Sequence, residues 1–185
     1  MAEFYTEGLV LEREIIGERD EKILIYTQAL GKLRTIGRSV KKITSKLSGH
    51  LTAGNLVGAR IVERNRGGFQ IVDALSLGLK PEPNRQLLNL IDFLKRLVPE
   101  NETDPGLWRE IIEALSDQKT DFAYKELLGR LGFGSKFARC DHCHSASVDY
   151  FIVGDTMFLC ASCLGEFLTF SNHHSLGIQN EVIKI

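Results

Sequence analysis

Apolar and polar positions alternate in short blocks over the first eighty or so residues, then change to a helical period. Residues 5–16, 23–27 and 33–37 are β-prone runs, separated by Gly17-Glu18-Arg19-Asp20 and by Gly31-Lys32. A polar segment follows from Ser39 to Thr52. Two more runs, 56–63 and 69–77, then flank Asn65-Arg66-Gly67-Gly68. Five short antiparallel strands with a longer connection between the third and fourth match the strand count and spacing of an OB-fold barrel. A generic small β-barrel is the competing fold at this level.

The pattern changes at Lys80-Pro81-Glu82-Pro83, which predicts an N-terminal domain over residues 1–80 and a second over 81–185. Asn84 can cap a helix carrying Leu87, Leu90, Ile91, Leu94, Leu97 and Val98 at 3.6-residue spacing, and Pro99 stops it. Asp104-Pro105 supplies a cap and a first-turn proline for a second helix, with Leu107, Trp108, Ile111, Ile112 and Leu115 on one side. Asp121 can cap a third through Phe122, Ala123, Leu127, Leu128 and Leu131, ending at Gly132. These helices are expected to pack on the C-terminal knuckle described next. Their apolar stripes are core positions, and the tail from Ser171 to Ile185 carries no readable pattern.

All four cysteines of the chain fall between residues 140 and 163, as Cys140-Asp141-His142-Cys143 and Cys160-Ala161-Ser162-Cys163. Two C-x-x-C pairs at that separation are the spacing of a structural zinc site, in which four thiolates close the tetrahedron and leave no position for water. Residues 148–153 and 156–159, parted by Gly154-Asp155, predict a hairpin whose return strand delivers the second pair; a short helix begins at Leu164. Redox disulfides call for an oxidising compartment or a thioredoxin-like setting. Haem attachment through Cys140-x-x-Cys143-His144 leaves the second pair idle. A zinc deaminase requires a His-x-Glu that is absent. His142 and His144 can each replace a thiolate, although solvated knuckle histidines are the plainer reading.

Net charge is −1 overall but divides unevenly: residues 1–80 hold thirteen Lys and Arg against nine Asp and Glu, and residues 81–185 hold ten against fifteen. Between Gly31 and Arg66 lie Lys32, Arg34, Arg38, Lys41, Lys42, Lys46, Arg60, Arg64 and Arg66, with Glu63 the single acid. That stretch is suited to an anion and makes those nine residues the candidate anion-binding set. Phe4, Tyr5, Tyr26 and Phe69 are the aromatic residues of the barrel region, too few for a base-stacking platform, so electrostatics would carry most of the affinity. The sequence holds no phosphate-cradling G-x-x-x-x-G-K-[ST] loop, no G-x-G-x-x-G after a strand, no G-x-S-x-G elbow and no H-E-x-x-H helix, so neither ATP hydrolysis nor another catalytic role is expected. With no basic start leading into an apolar run and no span of eighteen apolar residues, a cytoplasmic protein is expected.

Thr6-Glu7-Gly8-Leu9-Val10-Leu11, Gly17-Glu18-Arg19-Asp20, Tyr26-Thr27, Gly31-Lys32, Lys41-Lys42 and Ser45-Lys46-Leu47 together resemble the N-terminal domain of the bacterial recombination mediator RecO. Leu127-Leu128-Gly129-Arg130-Leu131-Gly132-Phe133 running into the cysteine pairs is similar to the helix and zinc knuckle of the same family. Departures are a shorter helical region, an acidic C-terminal half, and His144 where a glycine often follows the first pair. The resemblance implies an α+β protein, with an N-terminal five-stranded OB-fold barrel followed by a small helical domain carrying a four-cysteine zinc knuckle. It further implies binding of single- and double-stranded DNA, for which Lys32, Arg34, Arg38, Lys41, Lys42, Lys46, Arg60, Arg64 and Arg66 are the candidate DNA-binding residues, ATP-independent strand annealing, and help in loading RecA onto strands coated by single-strand-binding protein, SSB. RecR and RecF are the implied partners, and a DNA repair role would associate the protein with the nucleoid. The alternative is an OB-plus-zinc scaffold whose partner is RNA or another protein.

Overall fold

The computed structural model describes residues 2–40, 47–65, 67–78, 85–116, 124–171 and 182–185. The chain divides into two compact units, one formed by residues 1–87 and 98–119, the other by residues 88–97 and 120–185.

In the first unit β1 (Glu3–Ile16), β2 (Asp20–Thr27), β3 (Gly31–Gly37), β4 (Leu56–Glu63) and β5 (Phe69–Ser76) close into a barrel in the order β1-β2-β3-β5-β4. Neighbours are antiparallel except β3 and β5, which run parallel and pair only at Thr35–Phe69, Ile36–Gln70 and Gly37–Ile71. This is the OB fold. A register shift in β1 between Val10 and Glu12 lets the long first strand pair with β4 through one half and with β2 through the other. Alternation places Val10, Ile23, Ile25, Leu33, Val57, Ala59, Ile61 and Ile71 in the barrel core. The short helix α1 (Leu47–His50) lies between β3 and β4, with Val40 and Leu51 on either side of it in the same core. Nearby, Arg13 donates to Glu21 at 2.7 Å and to the Ser48 carbonyl at 3.0 Å.

The strands also bury their outer faces in part: Leu9, Leu11, Leu24 and Tyr26 lie outside that core yet are at most 5% exposed. Helix α3 (Pro105–Ser116) belongs to the same unit, and Trp108 lies over Tyr26 with ring centroids 6.2 Å apart. Its start is the one the sequence predicts: the Asp104 carboxylate accepts the amides of Gly106 and Leu107 at 2.8 and 3.0 Å, ahead of Pro105. The partner differs from the expectation that all three helices pack on the knuckle. An amphipathic stripe says that a helix face is buried, not what buries it, and the doubly apolar strands β1 and β2 supply a surface that needs cover.

The second unit holds most of α2 (Arg85–Leu97), α4 (Tyr124–Arg130), a single 3-10 turn (Ser135–Phe137), the hairpin β6 (Tyr150–Ile152) and β7 (Met157–Leu159), α5 (Ala161–Ser171) and β8 (Val182–Lys184). Helix α4 ends as predicted, with Gly132 at φ +89° and the Phe133 amide bonded to the Leu128 carbonyl at 2.7 Å. The order of the small sheet is β7-β6-β8, so the C-terminal residues that show no pattern in sequence add an edge strand to the hairpin. The expected caps Asn84 and Asp121, and the expected boundary at Lys80-Pro81-Glu82-Pro83, lie outside the described residues. Among the described residues no helix is long and apolar enough to cross a membrane.

Candidate metal centre and nucleic-acid surface

Cys140 ends an extended segment, and the tight turn after it brings Cys143 back beside it: the Cys140 amide donates to the Ser145 carbonyl at 2.9 Å and the His144 amide to the Cys140 carbonyl at 2.8 Å. His144 takes φ +60°, a left-handed conformation that favours glycine, which accounts for the glycine expected at this position. Strand β7 leads directly into Cys160, which caps α5, and Cys163 follows one turn on. All four Sγ atoms lie within 4.8 Å of one another, and those of Cys143 and Cys160 are 3.7 Å apart. Two sulfurs on one tetrahedral ion with metal–sulfur bonds of about 2.3 Å stand about 3.8 Å apart, so the spacing suits a shared cation. No cysteine is in a disulfide.

The donors around the sulfurs favour the ionised form. Backbone amides of His142, Cys143 and Cys160 point at the Cys140 sulfur, and the Ser145 amide points at that of Cys143. The Ser162 hydroxyl, 3.1 Å from the Cys160 sulfur, and the Cys163 amide draw the Cys160 thiol down to about 6. Burial, with its three sulfur neighbours, pushes Cys163 up to about 12. Four thiolates this close repel one another, so ionising the whole set requires a central cation. Neither histidine joins the cluster: both are exposed, and His142 instead faces Glu166 at 3.4 Å.

Two aspartates tie the halves of the cage together. The Asp141 carboxylate accepts the Phe158 amide at 2.6 Å while its own amide donates to the Phe158 carbonyl at 2.9 Å. The Asp149 carboxylate accepts the Ala161 amide at the start of α5, at 3.1 Å, and its amide bonds the Leu159 carbonyl at 3.0 Å. Sequence reasoning passed over both, and their signal was an acid next to a ligand pair and another at the head of the hairpin.

The described barrel cations differ in exposure and in pairing. Lys32 is only 5% exposed, and burial holds its ammonium below the ordinary range. Arg34 donates to Glu100 at 2.7 Å, and Arg60 is paired with Glu3. Arg38 is exposed and Arg64 half-buried, while Lys41, Lys42, Lys46 and Arg66 lie outside the described residues. Of the barrel aromatics, Tyr26 is buried, Phe4 and Phe69 meet edge to face at 6.4 Å, and Tyr5 is open to solvent with the Arg60 guanidinium 5.9 Å from its ring.

A family model described as "Recombination protein O N terminal" matches residues 1–77. Among curated proteins the chain is similar to "DNA repair protein RecO" of Dehalococcoides mccartyi, at 23% identity over 87% of this chain and 70% of the relative. It is likewise similar to the proteins of the same name from Bacillus subtilis, at 24% over 85% and 67%, and from Clostridium acetobutylicum, at 29% over 70% and 55%.

Proposed function

Taking the chain as a relative of the RecO proteins, we propose that it is a non-enzymatic DNA-binding mediator of recombinational repair. The observation that carries this reading is the closed five-stranded OB barrel, in a chain that is similar to a RecO protein over 87% of its length and also holds a four-cysteine cage. The barrel holds single- and double-stranded DNA through exposed cations of the 31–66 stretch. It thereby lowers the repulsion between complementary strands by displacing condensed counterions, and anneals them without ATP, since the duplex formed is more stable than the separated strands. The acidic C-terminal half disfavours DNA and faces proteins, with RecR as the first partner and RecF and SSB as others, so that RecA is loaded onto SSB-coated strands. The cage holds a structural zinc, and the protein works in the cytoplasm at the nucleoid.

The test is annealing of fluorescently labelled complementary DNA strands by the purified protein, with and without RecR. Annealing that proceeds without nucleotide, slows at high salt and fails on charge reversal at Lys41 and Lys42 supports the reading. ATP-dependent annealing, or none in the presence of tight RNA or protein binding, transfers support to the scaffold alternative.

A further inference from the structure

Two aromatic side chains among the described residues are open to solvent, Tyr5 at 75% exposure and Phe137 at 87%. A free aromatic face in water is a platform for an unpaired nucleobase, provided that the phosphates of the strand can approach it. The surroundings of the two rings are opposite in sign. Tyr5 lies on the outer wall of β1, β4 and β5, in register with Arg60, which is in turn in register with Asp73. Glu3 and Glu7 flank it on the same face of β1. Glu3 accepts the Tyr5 hydroxyl at 2.7 Å and also holds the Arg60 guanidinium. Three carboxylates thus stand around one guanidinium that is already paired, and a phosphate backbone is repelled from this ring.

Phe137 has the reverse setting. It ends the 3-10 turn between α4 and the cysteine cage, and the Ala138 amide closes that turn onto the Ser135 carbonyl at 3.2 Å. Phe133, four residues earlier, anchors the segment on the buried ring of Phe151, with centroids 5.6 Å apart. Phe137 is left in water. The Lys136 ammonium is 5.4 Å from its ring centroid, and the exposed Arg139 donates only to the His144 carbonyl, at 3.4 Å. Neither cation is in an ion pair among the described residues. Residues 124–139 hold Lys125, Arg130, Lys136 and Arg139 against Glu126 alone, whereas the rest of residues 81–185 holds six cations against fourteen acids. The one basic stretch of an acidic half therefore carries the most exposed aromatic ring among the described residues.

We infer that Phe137 stacks on a base of single-stranded DNA while Lys136 and Arg139 hold the adjacent phosphates, a contact outside the barrel. This rests on the DNA-binding reading above and makes residues 124–139 the exception to the exclusion of DNA by the acidic half. The experiment is anisotropy titration of a fluorescent oligothymidylate, and of its duplex with oligodeoxyadenylate, by the zinc-loaded full chain across a salt series. Phe137→Ala weakens single-strand binding about tenfold, the effect of one lost stack, and leaves the slope of log affinity against log salt unchanged because the ring carries no charge. Lys136→Gln together with Arg139→Gln flattens that slope by about 1.4, from about 0.7 per phosphate contact on a single strand. Phe137→Leu, apolar but without a π-face, behaves as the alanine variant does. Phe137→Trp keeps the affinity, and its emission is quenched by the oligonucleotide while the buried Trp108 is not. Duplex affinity is indifferent to Phe137→Ala, since paired bases offer no free face, and Tyr5→Ala leaves single-strand binding unchanged. Phe137 is exposed, so these replacements remove no packing, and circular dichroism checks that each variant folds. Unchanged single-strand affinity in Phe137→Ala, full affinity in Phe137→Leu, or an equal loss on duplex or in Tyr5→Ala overturns the inference and leaves the DNA reading in place. No binding of either DNA by the unaltered chain overturns that reading and the inference with it.

Discussion

Asp141 and Phe158 hold one another twice, carboxylate to amide at 2.6 Å and amide to carbonyl at 2.9 Å, and this pair joins the turn bearing Cys140 and Cys143 to the strand that delivers Cys160. The two halves of the cage are thereby brought together by groups outside the set of four thiols. Asp141→Ala is expected to weaken metal affinity about tenfold, the lower end of what loss of such an orienting group costs, with Asp141→Asn intermediate. Competition against a chromophoric zinc chelator measures both. An affinity unchanged by Asp141→Ala would show that the thiolates organise the site unaided.

Metal removal should melt one unit and spare the other. Folding free energy on the order of 10 kcal/mol can be tied to a closed site of this kind, so chelation or Cys160→Ser should abolish the β6–β7–β8 sheet. Trp108 is the only tryptophan, lies 6% exposed against Tyr26 in the barrel unit, and is therefore an internal reporter. Its emission should stay that of a buried indole after chelation. Acidification should release the metal, since protons compete for the thiolates as pH falls.

Gly31 is constrained twice, by φ +68° and by the Glu102 carbonyl that a side chain would strike. Gly17 has a similar φ of +71° with nothing within 4 Å of the missing Cβ. Gly17→Ala should cost about 1 kcal/mol from the backbone alone, and Gly31→Ala clearly more, about 3 kcal/mol, because residues 100–102 must also move. Urea unfolding followed by Trp108 emission compares the two. Equal costs would mean that those residues yield freely.

His144→Gly removes a side chain from a left-handed position and should stabilise the metal-loaded knuckle by up to about 1 kcal/mol. His144→Val, β-branched in the same conformation, should destabilise it by more than that. Thermal melts of the zinc-loaded protein, read at the β-sheet signal, decide the sign. A stabilising valine would show that the turn relaxes out of that conformation.

Local chemistry decided much of this protein before any tertiary contact. The five strands lie where alternation and glycine turns put them, because side-chain period and positive φ are properties of a few consecutive residues. The Asp104 cap, the Gly132 stop and the cage ligands were legible for the same reason: each depends on spacings within one turn or one hairpin. Tertiary structure alone decided what an apolar stripe faces and which charges remain free. Trp108 meets Tyr26 from far along the chain, Glu100 reaches Arg34 across 66 positions, and β8 finds β6 although a three-residue strand carries no period of its own. A run of lysines and arginines records where charge lies along the chain, but burial at Lys32 and ion pairs at Arg34 and Arg60 are fixed only when the barrel closes and its own acids fold back on it.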